Sequence, residues 1–555
     1  MKSLAAKVSA LVVISLLVLL SVVFGFGIQP TSSARPKIGL PQDWSHHYVV
    51  FSRNVLSENP ALASREPRAL HQIIRERAAS LHAKLGTGAA STFGQANAAT
   101  PQRDWSVALG TARVAPGMFP AKFGLDPSAT PSCANDFVAF GLNVGGSATQ
   151  SNMIAFNNLY SGTGGLCGTG APSVMFSYNV TTVTGGRVGT SPALSLDGKK
   201  LVFIETTNLS AVFHVLTWAT GTGNGTSPIT PVVPGVGNAA ALVSIPFGAS
   251  SVTRSSPWVD YTNDIVYVAT NNGRIYKFTG VFNGTPALAG APWPAVVNPS
   301  HILSGPILDQ VSNTLIVGDS IGKIYKVSIA TATTLASLQV GAQVGTSPGI
   351  IDPPLIDSSS GTVFAVSAND GTTAVVVEAD IATFTELARG RIGLGSTGGT
   401  NMTLFSGAFD NNYFTTPASG TLTVCGTTAT TTAPQLYTFG FTGTTLNTTP
   451  VSTVNLVPST RARCSPITEF FNPNVAGGTD FLFLGLSADC FGAATTGCVM
   501  SRPSIGAPPT PPHIANGLSG IVVDNTSTLG QASSLYFTNE AAASSAFKFT
   551  QNGLN

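Results

Sequence analysis

One block of sequence returns three times with nearly the same internal spacing. Pro257-Trp258-Val259-Asp260 leads to the apolar run 265–268, then to Gly273 and a second run at 275–278. Pro306-Ile307-Leu308-Asp309 leads to the run 315–317, Gly322 and the run 324–327. Pro354-Leu355-Ile356-Asp357 leads to the run 363–366, Gly371 and the run 374–377. From the Pro to the closing Gly the three blocks measure 16, 16 and 17 residues. Short strands and tight turns recurring at roughly 50 residues mark a repeat architecture, here a β-propeller.

The blocks extend in both directions. A Ser followed closely by Pro or Gly opens nearly every one: Ser191, Ser256, Ser304, Ser406, Ser465 and Ser519. The openings at Pro192, Pro257, Pro306, Pro354, Gly407, Pro466 and Gly520 are separated by 65, 49, 48, 53, 59 and 54 residues. A divergent block, with strands at 137–140 and 153–156, precedes them. The last block stops after the run 546–549, one strand short, while 105–109 is an isolated strand ahead of the first. Pairing the two would close the ring and shield sheet edges that otherwise invite aggregation. The expectation is therefore an all-β fold, a propeller over residues 104–555 with eight four-stranded blades. Seven is the alternative if the divergent block is irregular.

Asp260, Asp309, Asp357 and Asp410 each stand three residues after a block opening, at the first strand-to-strand turn. Asp side chains hold such turns by accepting bonds from nearby backbone N–H groups. A repeated position fits a structural role, whereas catalysis requires a unique constellation.

Composition agrees. Charged residues make up 9% of the chain, apolar residues 43%, and Gly numbers 59. Such a chain suits an all-β protein rich in turns and argues against wholesale disorder. Net charge is +2, unevenly placed: residues 1–122 carry 13 Lys and Arg against five acids, leaving the remainder acidic. No cluster of basic residues interleaved with aromatics occurs in the body, so nucleic acid is not an expected partner. A basic leader on an acidic body suits export past an anionic membrane surface.

The N-terminus reads as an export signal. Lys2 and Lys7 precede an uncharged run over 8–29, and Ser32-Ser33-Ala34 offers small residues for cleavage. Residues 1–34 are expected to be a cleaved signal peptide, with an uncleaved anchor at 8–29 as the alternative. The destination is then the periplasm or the outside of the cell, with membrane contact only through that segment.

Residues 35–103 form a leader. Ser64-Arg65-Glu66-Pro67 has the form of a helix start, and Leu70, Ile73, Ile74, Arg77, Leu81 and Leu85 share one helical face before Gly86. This helix is expected to dock on the body or to tether it. The segment from Asp43 to Ser52 reads as an exposed strand or docking segment, and 87–100 reads as linker.

Six cysteines fit an oxidising compartment: Cys133, Cys167, Cys425, Cys464, Cys490 and Cys498. Proximity pairs Cys490 with Cys498 and Cys133 with Cys167, leaving Cys425 with Cys464. Spacing alone leaves the other pairings open. Zinc is disfavoured, since no Cys-x-x-Cys occurs and no His lies close to these thiols in sequence.

The repeat form, a Ser-Pro opening, an apolar strand, Asn/Asp-Gly and then Ile-Tyr-Lys, resembles the quinoprotein alcohol-dehydrogenase-like propellers. Its clear motifs lie within 250–380. The resemblance implies a propeller, and in cofactor-binding members it implies pyrroloquinoline quinone stacked on a Trp and a vicinal disulfide, with calcium held by Glu, Asn and Asp and an Asp base. This chain has no adjacent cysteines and no regular Trp pattern, so it reads as a divergent secreted bacterial member with no cofactor. Pyrroloquinoline quinone with calcium is the alternative.

Other catalytic signatures are missing or explained. Gly345-Thr346-Ser347-Pro348-Gly349 has Pro after its Ser, and Gly-Thr-Ser-Pro recurs at Gly189 and Gly225, as a repeat turn does. His46 and His47 would point apart on an extended strand. Glu205, Glu378 and Glu469 lie near strand ends where a channel ligand would meet them. The expected function is that of an exported, monomeric, non-catalytic propeller binding a protein or glycan partner. A quinoprotein-like dehydrogenase or another propeller enzyme is the alternative.

Overall fold

In a computed structural model of the chain, the residues described are 40–51, 66–73, 102–124, 131–223, 230–248, 255–343, 349–396, 402–472, 478–490, 496–503, 513–515, 517–524 and 534–550. The signal segment, the linker, and the helix-face residues Ile74, Arg77, Leu81 and Leu85 with Gly86 lie outside them. No described helix is long and apolar enough to cross a membrane.

The strands pair into eight sheets, so the propeller has eight blades and not seven, spanning 121–178, 187–247, 258–296, 307–339, 355–394, 408–455, 468–515 and 522–550. The divergent first block is a full blade of four antiparallel strands. Middle strands are buried on both faces, because neighbouring blades sandwich them. Lys200–Thr206 is buried from Leu201 onward, which explains its unbroken apolar run. Outer strands meet water on one side, and Thr334–Gln339 alternates between exposed and half-buried positions.

The repeated residues have assignable local roles. The opening serine bridges two strands: the Oγ atoms of Ser255, Ser304, Ser465 and Ser519 accept the N–H groups of Ala269, Gly318, Gly485 and Thr538. In the third blade this residue is Ser255, while its neighbour Ser256 accepts the Ser191 N–H of the preceding blade. Gly273 and Gly322 take φ of +72° and +79°, and a Cβ at either would collide with backbone of the following loop.

Asp260, Asp309 and Asp357 end their innermost strands and accept N–H groups two and three residues ahead. Asp410 does something different. It caps a short helix, Asn411–Thr415, accepting the Tyr413 and Thr421 N–H groups.

The ring closes at one seam. The strand β3 (Gln102–Ala108) runs antiparallel to Ser545–Thr550 and supplies the outermost strand of the eighth blade. Two buried ion pairs lie at this seam: Lys548 with Asp104 at 3.0 Å, and Lys122 of the first blade with Asp524 of the eighth at 2.7 Å. Tyr160 donates to Asp136 at 2.7 Å beside them. A second edge is also covered. Thr222 and Val232, from an excursion of the second blade, form parallel bridges with Phe176 and Tyr178 on the outer strand of the first.

Three disulfides are formed. Cys133–Cys167 ties loops of the first blade, Cys425–Cys464 joins the sixth blade to the approach to the seventh, and Cys490–Cys498 lies within the seventh. Disulfides persist in oxidising surroundings.

Removing one partner of a buried ion pair strands the other charge. Lys548→Met is expected to destabilise the protein by about 3–5 kcal/mol, and restoring neutrality with Lys548→Met/Asp104→Leu is expected to recover much of it. Denaturant unfolding of the single and double variants checks this.

Candidate functional site

The axis of the propeller is occupied by the chain's own leader. The strand β1 (Leu40–Gln42) pairs antiparallel with Ala121–Gly124, the innermost strand of the first blade, in the register Gln42 to Lys122. The strand β2 (Val49–Val50) pairs in parallel with Leu355–Asp357, the innermost strand of the fifth. Between them Trp44–His47 forms a 3-10 turn capped by Asp43, whose carboxylate accepts the Ser45 N–H at 2.9 Å. His46 and His47 therefore sit on a helical turn and not on the extended strand expected. The preference of Asp and Ser for helix starts wins over the β-rich sequence that follows.

Aromatic and polar side chains lock this segment. Trp44 donates to the Pro257 carbonyl at 3.2 Å and packs edge-on against Trp258. Tyr48 donates to both oxygens of Asp352, at 2.9 and 3.1 Å. The leader helix, residues 67–73, then delivers Arg68, only 4% exposed. Its guanidinium lies 4.0 Å over the Trp258 ring and donates to Glu66, Ser45 and the Val259 carbonyl. Gln72 bonds both the N–H and the carbonyl of Phe51.

Of the expected helical face only Leu70 and Ile73 lie among the described residues, and Ile73 packs against the core. Glu66, Pro67, Arg68, Ala69 and Gln72 are the buried residues, while Leu70 and Ile73 are only partly covered. Innermost strands present carbonyls and an indole face at the axis, so a fully bonded arginine fits there better than a leucine.

The leader leaves two chambers. The larger, about 490 Å³, opens where the innermost strands begin and is lined by Trp44, Tyr48, Phe119, Arg187, Asp352 and Phe405 among others. Asp352 is 9% exposed and also accepts the Ser406 N–H at 2.7 Å. Burial pushes its carboxyl up to about 7, partly offset by the Ser406 and Tyr48 bonds. The smaller chamber, about 140 Å³, lies on the other side and is lined by Asp43, His46, His47, His71, Phe119 and Glu469 among others. Burial lowers the His47 imidazole to about 4, against the pull of the Ser406 and Gly407 carbonyls. Burial opposes ionisation of Asp43, yet His46 and Arg68 hold its carboxyl below the usual value. Among the described residues no group of three or more His, Cys, Asp or Glu has metal-binding geometry.

Of the three glutamates singled out by sequence, only Glu469 reaches the channel. Glu205 is sealed in the second blade, accepting the Thr182 and Val183 N–H groups and contacting His214 at 2.9 Å. His214 in turn meets Ser244 at 3.0 Å, completing a Ser–His–Glu chain. The chain spans three adjacent strands of one sheet, with Glu205 and His214 both fully buried. Neither chamber reaches it, and its evident role is to satisfy a buried carboxylate. Glu378 is buried in the fifth blade against the Leu446 N–H, and burial pushes it up to about 7. The four recurring Asp residues belong to strand ends and border neither chamber. Of the two readings of 43–52, the docking segment is the one found, and its described residues are mostly buried and not exposed. Sequence reasoning singled out neither Trp44 nor Tyr48 within it, and missed Arg68 and Asp352. A Trp, a Tyr and two histidines crowded into residues 44–48 were the available signal.

No protein-family model matches the chain, and no curated protein matches it. Solved structures with some likeness include BamB from Moraxella catarrhalis (14% identity, TM-score 0.44, covering 81% of this chain and 99% of that one). Sqt1 of Saccharomyces cerevisiae (10%, 0.48, 80% and 99%) and the Dos1 propeller (12%, 0.44, 81% and 95%) are others. The fold assignment rests on the eight sheets themselves.

Two outcomes follow for the leader. Arg68→Leu leaves Glu66 without its cation and is expected to destabilise leader docking by about 3 kcal/mol, seen as faster protease cleavage within 40–73 while the ring stays folded. His47 has a folded value below the usual 6.5. The unfolded chain therefore binds the extra proton first, and stability is retained above pH 6.5 and lost as pH falls towards 4. His47→Gln is expected to flatten that part of the stability–pH curve, measured by urea unfolding at several pH values.

Proposed function

We propose that this chain is an exported, non-catalytic propeller that needs no cofactor and binds a protein or glycan partner through the loops around its larger chamber. The single observation that carries this reading is the leader. Trp44, Tyr48 and Arg68 fill the axis with bonded side chains, so the central position where a propeller enzyme would gather its catalytic groups is taken by the protein itself. What remains open is a mouth ringed by loops from several blades, which is where binding specificity is usually carried. Three disulfides support export, since they suit an oxidising compartment. The likeness to quinoprotein-type propellers is, in this reading, one of repeat architecture alone.

The test is thermal melting of the purified protein with and without pyrroloquinoline quinone plus calcium, alongside dye-linked oxidation of alcohols and sugars. A ligand that binds only the folded form raises the melting temperature by mass action. No shift and no dye reduction are expected. A saturable rise accompanied by dye reduction would overturn the non-catalytic reading.

A further inference from the structure

We infer that the larger chamber is a receptor for a primary ammonium group on an aliphatic stem, with Asp352 as its counter-ion. The inference deepens the binding-module reading and rests on it.

The argument starts from how this protein treats buried charge. Lys122 pairs with Asp524, Lys548 with Asp104, Arg68 with Glu66, and Glu205 meets His214. These charges are satisfied from within, as burial demands. Asp352 is not paired in this way. Its partners are the neutral Tyr48 hydroxyl from the leader and the neutral Ser406 N–H from the approach to the sixth blade. No described Lys, Arg or His forms an ion pair with it, and no cation offsets its burial. Glu378, Asp260, Asp309, Asp319, Asp357 and Asp410 likewise form no ion pair among the described residues, but all are buried and none borders either chamber. Asp352, by contrast, lines about 490 Å³ of accessible space.

The rest of the wall suits a cation on a greasy stem. Trp44, Tyr48, Phe119 and Phe405 line the same chamber. Aromatic faces attract ammonium groups and cover methylenes. Arg187, exposed in the second blade, is the one other charged residue on the wall among the described residues, and it suits the carbonyl or carboxylate groups accompanying the amine. Asn143, Thr207 and Asn208 add neutral polar groups at that side. A ligand ammonium would supply the charge Asp352 lacks and draw its carboxyl towards the ionised form. Binding should therefore release a proton below neutrality, where the free carboxyl holds one.

Two sources share this chemistry: a free diamine, and a lysyl side chain on a partner protein. Calorimetric titration of the full chain with cadaverine and with acetyl-Gly-Lys-Gly-amide separates them, with pentane-1,5-diol and glutarate as neutral and anionic counterparts. Saturable binding of an amine is expected, weakened at least about tenfold by Asp352→Asn and by about tenfold per unit as pH falls below 7. A tighter lysyl peptide points to a protein-borne lysine, and a tighter cadaverine to a free polyamine.

Should Asp352→Asn fail to fold, titration of the unaltered protein at pH 6 in two buffers of different ionisation enthalpy reads the proton release directly. Unchanged affinity in Asp352→Asn, no proton release, equal binding of the diol, or no amine binding would each overturn the ammonium inference. Diol or glutarate binding without amine binding would sink this inference and leave the binding-module reading standing. Reduction of an acceptor dye in the presence of an amine would sink the binding-module reading instead.

Discussion

Closure of the ring at a single seam is the constraint on which every other feature depends. A propeller blade presents unpaired backbone on its outer edge, and a ring with a gap leaves two blade faces uncovered. Here residues near both ends of the described body share one blade, β3 lying beside Ser545–Thr550. The seam combines strand pairing with buried ion pairs, whose geometry must be satisfied together or not at all. The register of the eighth blade is thereby specified by charge as well as by pleat. Only a closed ring presents eight innermost strands to a common axis.

That axis poses its own problem. Innermost strands offer backbone groups and small side chains around a void, and a void of that size must hold water, a ligand or protein. This chain fills it with its own leader. The filling is bilateral, with one short strand on the first blade and another on the fifth. Tyr261, from the third blade, bonds the Leu194 carbonyl of the second at 2.8 Å and comes within 3.5 Å of Asp43. The leader thus acts as a hub between blades that are far apart around the ring. The same segment divides the channel and gives the larger chamber two of its aromatic walls.

Much of the ring was legible in the sequence because repeats report themselves. The Pro-to-Gly spacing, the apolar runs and the lone strand at 105–109 correspond to the blades and to the partner of the final strand. The serines were visible as punctuation, but their bridging role depends on a strand some 14–20 residues away. The leader was legible as a docking segment at 43–52 and a helix with a nominal apolar face, but not as the filling of the axis. Periodicity describes what a helix presents, not what receives it, and the receiving surface here is an indole and a carbonyl. Asp352 carried no signal at all, since it lies outside the recurring turn positions and acquires its environment from Tyr48, 304 residues earlier.

That separation bears on the order in which the molecule is built. The leader is synthesised before any blade, yet its second strand pairs with the fifth blade and its tyrosine with the approach to it. Contacts between residues so distant along the chain form late, because the loop between them must first be closed. The segment made before any blade is therefore among the last to find its place. Until the fifth blade exists, residues 40–51 have no complete site to occupy, and the nascent ring must assemble around an axis that is still empty.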